Sequence, residues 1–248
     1  MGLNRLSFVA RKWAVFKRDY WCYLKSLLYK YDGLTRHETQ TLITPWYHNF
    51  AELGLKTRVE GGPFQANNEA KARVLKPLIR EAGKLVKNPK ILEQFCADGF
   101  WAMWASRELD GCAWGIDRDP YQIDKARLAA RACGFEEQNF GCGDVSQQHG
   151  DFDLALCLGG LYHTPDPAMV LHNIPANVMV LQTVLGGVGF ESPAPHWGWG
   201  CRFDLSWLMG QLKGTGWKVR GEPELFNLPG NSHKLDKTSV AMVCVRDG

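Results

Sequence analysis

Apolar positions recur at spacings of three and four along the first segment of the chain: Leu3, Leu6, Val9, Trp13, Phe16, Tyr20, Tyr23, Leu24, Leu27 and Tyr31. That period predicts one long helix over Leu3 to Tyr31, with an apolar stripe and basic residues on much of the other side. Asp32-Gly33 ends it. An irregular stretch follows, with the aromatic run Trp46-Tyr47-His48-Asn49-Phe50 after Pro45, and Gly61-Gly62-Pro63 breaks the chain again. A second helix is expected from about Asn68 to Val86.

Beyond Asn88-Pro89 the pattern changes to short apolar runs alternating with helical ones. Strands are expected over Lys90–Phe95, Cys112–Asp117, Gln138–Gly141, Phe152–Leu158, Asn177–Val184, Trp217–Gly221 and Ser239–Val245. Helices are expected over Phe100–Leu109, Pro120–Cys133 and Leu205–Leu212, the last with Asp204 as its N-cap. Strands alternating with helices imply an α/β fold with a doubly wound, mostly parallel sheet of seven strands. The last two strands have no clear helix between them and are read as an antiparallel hairpin. Residues 1–66 are read as an N-terminal helical and aromatic segment and 67–248 as the main domain.

Composition narrows this picture only in places. The chain has 248 residues, 45% hydrophobic and 22% charged, which suits a folded globular protein. Ten Trp is a high number and suggests a pocket for a flat or cationic ligand as well as core. The net charge of +3 is unevenly spread: eight Lys/Arg face two Asp/Glu in residues 1–36, which leaves the rest slightly acidic. The eight cysteines form no Cys-x-x-Cys pair, so they are expected to be small buried apolar groups, with no metal bound. Arg5, Arg11, Lys12, Lys17 and Arg18 interrupt the early apolar stretch, which argues against a secretory signal and for a cytoplasmic setting. No run of about 18 uninterrupted apolar residues predicts a spanning helix.

A doubly wound sheet binds ligands at the carboxyl ends of its strands, so the first strand–loop–helix is where chemistry is sought. That loop reads Glu93-Gln94-Phe95-Cys96-Ala97-Asp98-Gly99-Phe100. Asp117 closes the second strand in Gly115-Ile116-Asp117, where a carboxylate can accept hydrogen bonds from a ribose diol. The dinucleotide pattern G-x-G-x-x-G is absent, which counts against NAD and leaves a nucleoside without a pyrophosphate. Asp144, after the third strand, can accept from an adenine amino group. The fourth strand runs into Leu158-Gly159-Gly160-Leu161-Tyr162-His163-Thr164-Pro165-Asp166-Pro167.

In these motifs residues 90–245 resemble a class I S-adenosylmethionine (SAM)-dependent methyltransferase. The likeness is to the branch that holds tRNA wobble-uridine methyl- and carboxymethyltransferases and small-molecule relatives. It rests on Glu93, Cys96, Gly99 and Phe100, then Gly115 to Asp117, then Leu161-Tyr162-His163 with Pro165 and Pro167. Upstream, Trp46-Tyr47-His48 resembles a Trp-(Phe/Tyr)-His element of that branch. Phe95 and Ala97 depart from it, since they stand where many relatives have glycine, and Phe95 narrows the nucleoside slot.

The resemblance implies a Rossmann-like methyltransferase fold that uses SAM. It assigns cofactor contacts to Glu93, Phe95, Cys96, Ala97, Gly99, Phe100, Trp101, Asp117, Arg118, Asp144, Val145 and Leu158. His163 is the first choice of general base, Tyr162 an orienting residue, and His48 a further acceptor-side residue. His196 and Trp197 are candidates for a pocket wall. The sequence offers no convincing cationic set for an extra carboxylate on the donor, so plain methyl transfer is expected. The acceptor is expected to be a hydroxyl or amine of a small molecule, with helix Leu3–Tyr31 as a lid over it. The alternatives are a tRNA wobble base and a non-catalytic membrane- or partner-binding protein on a degenerate domain.

Overall fold

The structure, a computed structural model, describes residues 38, 41, 44–59, 61–194, 200–231 and 238–246. The expected N-terminal helix and its role as a lid lie outside the described residues, as do His196 and Trp197. Packing divides the chain into two units, Met1–Thr44 and Pro45–Gly248.

The larger unit holds nine strands and five α-helices among its described residues. In order they are α1 (Pro63–Gly83), β1 (Lys90–Gln94), α2 (Phe100–Glu108), β2 (Cys112–Asp117), α3 (Pro120–Cys133), β3 (Phe140–Cys142), β4 (Leu154–Leu158), α4 (Pro167–His172), β5 (Val178–Val184), β6 (Phe190–Glu191), β7 (Arg202–Phe203), α5 (Leu205–Gly214), β8 (Lys218–Asn227) and β9 (Thr238–Val245). Seven of the strands form one sheet in the order β3-β2-β1-β4-β5-β9-β8, and β6 and β7 pair separately. Strands β3 to β5 across this order run parallel, and β9 is antiparallel to both β5 and β8. The expected doubly wound seven-stranded sheet and closing hairpin are therefore present.

The central strands carry the core. β4 and β5 are buried at every position, the pattern of parallel strands covered on both faces. One core cluster joins Leu92, Ile116, Cys157, Met179 and Met242 from the sheet to Val170 and Leu171 of α4 and Leu208 and Leu212 of α5. Cys96, Cys157, Cys201 and Cys244 are buried as expected, but Cys112 and Cys142 are exposed because both sit at strand ends.

Several boundaries differ from the sequence pattern. Helix α1 begins at Pro63 instead of Asn68, because proline at the first helical position gives up an amide that has no partner there. Pro77 stays inside the same helix. Third-strand pairing starts at Phe140, after a 3-10 turn at Glu137–Asn139. Helix α4 was hidden by its brevity; Asp166 caps it through Met169 N and Pro167 opens it. Strand β8 continues past Gly221 to Asn227, since a register shift between Arg220 and Glu224 absorbs Gly221 and Pro223 on this edge strand.

Gly115 on β2 has no space for a side chain: a Cβ would stand 2.6 Å from Phe140 and 2.9 Å from Cys96 Sγ. Gly115→Ala is expected to destabilise the domain by about 1–3 kcal/mol through overpacking. A urea midpoint equal to that of the parent would show that Phe140 can give way.

Candidate functional site

The sheet reverses direction of growth beside β1. The chain builds β2 and β3 on one side of it and then crosses to β4 on the other. The carboxyl ends of β1 and β4 diverge there and open a cleft. A cavity of about 580 Å³ fills it, within the range usual for small-molecule sites. The loops after β1, β2, β3 and β4 all contribute, as do α1 and the upstream aromatic stretch.

The cavity brings together nearly all residues singled out from the sequence. Tyr162, His163 and His48 line it, with Glu93, Phe95, Cys96, Ala97, Trp101, Asp117, Arg118, Asp144, Val145 and Leu158. Gly99 and Phe100 do not. Gly99 faces Phe140 and Met103, where a Cβ would stand 2.7 Å from the Phe140 ring. Phe100 is buried and stacks on His48 at 5.0 Å. These two residues shape the wall from behind.

The first loop keeps a backbone suited to glycine without having glycine at two positions. Phe95 has φ 57° and Ala97 φ 45°, both in the left-handed region that costs a side-chain-bearing residue about 1–2 kcal/mol. Turn hydrogen bonds hold the loop, from Cys96 N to Ile116 O and from Gly99 N to Cys96 O. The Phe95 ring needs room on the facing loop. It finds it at Gly160, where a Cβ would fall 1.9 Å from Phe95 Cγ.

Asp117 is held at both oxygens. Its Oδ2 accepts from Ala97 N and its Oδ1 from Asp119 N, each at 3.0 Å. This ties the end of β2 to the first loop and fixes the carboxylate at the cavity wall. Asp144 accepts from Ser146 N at 2.9 Å and from Ser146 Oγ at 2.8 Å, and these bonds lower its carboxyl below its ordinary value. Glu93 is fully enclosed and accepts from Ala102 N in the first turn of α2 at 2.8 Å. Burial pushes its carboxyl well up, with Asp98 and Asp117 adding to the effect and the Ala102 amide and Lys71 opposing it.

Sequence reasoning left out Asp98. It has no solvent exposure, and its carboxylate takes both bonds of one upstream residue: His48 Nδ1 at 2.6 Å from Oδ1, and His48 N donating to Oδ2 at 2.8 Å. His48 is further clasped by Phe100 and by the edges of Trp101 and Tyr47. Thr57 Oγ1 donates to His48 O, and Asn68 on α1 donates to Tyr47 O. The irregular segment is thus pinned into the cleft. The acid after Ala97 in the first loop and the His of the aromatic run were each visible in the sequence; their pairing was not. Lys71, Gln122, Gly159 and Thr164 also line the cavity and were not foreseen.

His163 sits among cations. Burial first, then Arg118, Arg202 and Lys71, lower its pKa to about 4. Below the ordinary value of 6.5, the unfolded chain takes up a proton that the folded ring refuses down to about 4. Stability therefore falls as pH drops through that window. His163→Gln is expected to lose less stability than the parent between about pH 7 and about pH 5, measured by urea midpoints. Identical losses in the two proteins would mean that the ring takes its proton in the folded state.

Comparison with known proteins places these features in context. The family model described as "Methyltransferase domain" matches residues 65–218. No curated protein matches the chain. Among solved structures, magnesium protoporphyrin IX methyltransferase (ChlM) from Synechocystis PCC 6803 with bound SAH, the demethylated product of SAM, is 13% identical, covers 80% of this chain and 93% of its own, and has a TM-score of 0.59. The N-terminal domain of EvdMO1, solved in the presence of SAH and D-fucose, is 18% identical over 86% of this chain and 95% of that one, again with a TM-score of 0.59. The cyclase SpnF is 16% identical over 72% of this chain and 82% of that one, with the same TM-score of 0.59. At these identities the likeness is one of fold.

Proposed function

The chain belongs to the methyltransferase domain family, and on that premise we propose that it transfers a methyl group from SAM to a hydroxyl or amine of a small-molecule acceptor. One observation carries the reading. Asp117 and His48, the latter backed by the buried Asp98, line the same cavity at the carboxyl end of the sheet.

The residues present fit the cofactor. Burial first, then the acidic neighbours, push the Cys96 thiol up, and the carboxylates of Asp98 and Asp117 give the first loop a negative field. Such a field suits a sulfonium. Bound SAM supplies a methyl group already activated by its positive sulfur. Asp117, locked by two amides, is set to take the ribose diol. Asp144 stands one strand further and would accept from the adenine amino group. Trp101 and Tyr47 offer ring surface to a cationic or aromatic group.

A hydroxyl acceptor must lose a proton, and His48 supports that step better than His163. Asp98 holds Nδ1–H, which leaves Nε2 as the nitrogen that can accept a proton. Burial, with three cations around it, disfavours a proton on His163. Tyr162 and His163 then serve to orient the acceptor. With donor and acceptor both held, positioning supplies much of the rate.

Small acceptors are also what the names of similar structures suggest: a magnesium protoporphyrin for ChlM and D-fucose beside EvdMO1. The finer likeness to the wobble-uridine branch rests on motif residues alone, and a tRNA base is the alternative acceptor.

Calorimetry tests the cofactor without knowledge of the acceptor. The full chain is expected to bind SAM and SAH but not NAD, and Asp117→Ala to weaken SAM binding by about 1.5–3 kcal/mol. No heat with SAM at millimolar level would refute the reading. SAH release tests the acceptor. It is expected with the low-molecular-weight fraction of a cell extract, and release only with total RNA would favour the alternative. In the active fraction, His48→Gln is expected to lower turnover by roughly 10²–10⁴-fold with SAM affinity unchanged.

A further inference from the structure

Helix α3 buries a lysine without a counter-charge. Lys125 is only 3% exposed, and among the described residues no carboxylate pairs with its ammonium. An apolar side chain would fill the same space without the cost of taking a charge out of water. Three other groups meet the ammonium. Nζ donates to Pro45 O at 2.6 Å and faces two rings, with centroids 4.5 Å away for Tyr121 and 5.9 Å away for Trp46.

The carbonyl it holds belongs to the segment that carries His48. On the other side of the same peptide, Trp46 N donates to Arg58 O at 2.7 Å. The Pro45–Trp46 peptide is therefore gripped from both sides. Trp46 is fully buried, and two residues further on Asp98 takes His48. Asp98 ties the segment to the first loop, Thr57 and Arg58 to the chain that follows it, and Asn68 to α1. Lys125 adds the tie to α3.

That helix leaves directly from the β2 carboxylate. Asp119 caps it, while the Asp119 amide donates to Asp117 Oδ1. Gln122, three residues before Lys125, lines the cavity. One helix thus touches the Asp117 side of the cleft with its first turn and the His48 segment with its second.

From this we infer that Lys125 is a positioning residue: by holding Pro45 O it sets where the His48 ring stands relative to Asp117, and so the gap between the proton acceptor and the bound donor. The inference rests on the methyl-transfer reading for its effect on rate, but not for its effect on the ring. In-line transfer tolerates little drift, and a displacement of about 1 Å costs on the order of a hundredfold. A charged donor grips a carbonyl more tightly than a neutral one, and the two rings hold the ammonium over it.

Full-length parent, Lys125→Met and Lys125→Arg are compared by three measurements. Urea midpoints and SAH calorimetry report the fold and the donor site. Nitrogen-15 spectra of the histidine rings report His48. SAH release in the active low-molecular-weight fraction reports turnover. Lys125→Met is expected to keep the parent's urea midpoint or raise it, because it removes a buried charge and retains the packing. It binds SAH as the parent does, shifts the His48 ring signals while those of His163 stay in place, and lowers turnover about ten- to a hundredfold. Lys125→Arg recovers the ring signals and most of the turnover.

A Lys125→Met protein with the parent's His48 signals and turnover would overturn the inference. So would parallel losses of urea midpoint, SAH affinity and all histidine signals that Lys125→Arg fails to rescue, since Lys125 would then serve only the fold. If Lys125→Met does not fold, the parent decides: its Lys125 ammonium must exchange slowly and couple to the Pro45 carbonyl carbon, and an ammonium free of that carbonyl refutes the inference. A parent that neither binds nor releases SAH sinks the methyl-transfer reading instead. The His48 signals, read without ligand, then still decide the role of Lys125.

Discussion

Asp98 carries a carboxylate that water does not reach, so the protein itself must meet it. One upstream residue does so with two hydrogen bonds, and that residue is fifty positions earlier in the chain. The pair sets much of the site. It seats the Trp46–Phe50 segment on the N-terminal turn of α2, fixes the tautomer of His48, and makes a wall for a cleft that the sheet alone leaves open. Removing either partner would leave a buried polar group exposed to no compensation, so the fold and the proposed proton transfer share one interaction.

The sheet and the location of the site could be read from the sequence because both follow from local pattern. β4 and β5 are uninterrupted apolar runs, and Gly115-Ile116-Asp117 ends a strand with an acid. The parts that could not be read depend on contacts across the chain. Lys71 is a charged residue in the Glu69-Ala70-Lys71-Ala72-Arg73 stretch with nothing local to mark it as buried, and the packing of α1 against β5 and β9 turns it inward. Gln182 reads as one polar residue in a buried strand; that its Nε2 donates to Ser239 while its Oε1 meets no partner among the described residues appears only with Ser239 across the pair. Asp98 has no signal of its own until His48 is placed beside it. Gly61-Gly62-Pro63 reads as a break and the strand after Trp217 reads as ending at Gly221, whereas a helix start accommodates Pro63 and a strand bulge accommodates Pro223.

Acidic and basic groups meet in the cavity. Glu93 and Asp117 line it at the first two strand ends, Arg118 follows β2, and Lys71 reaches in from α1, where it acts on both Glu93 and His163. A ligand that carries charges of both signs would meet partners of both signs across the cleft, which gives it direction as well as affinity. The missing glycines of the first loop do not disturb this, because the backbone at Phe95 and Ala97 keeps the left-handed turns that glycine would adopt freely.

The ring of Phe95 and the bare Cα of Gly160 fill one volume between them, and this restricts the order in which the two loops can change. A side chain at position 160 is tolerated only once position 95 has become small, since the opposite sequence passes through atoms 1.9 Å apart. Loss of the ring at 95 costs packing but meets no clash, and it relieves an unfavourable backbone angle if the new residue is glycine. The pair therefore works as a one-way gate in sequence space: the first loop can return to a glycine pattern by a single step, whereas the fourth-strand loop stays fixed until it does.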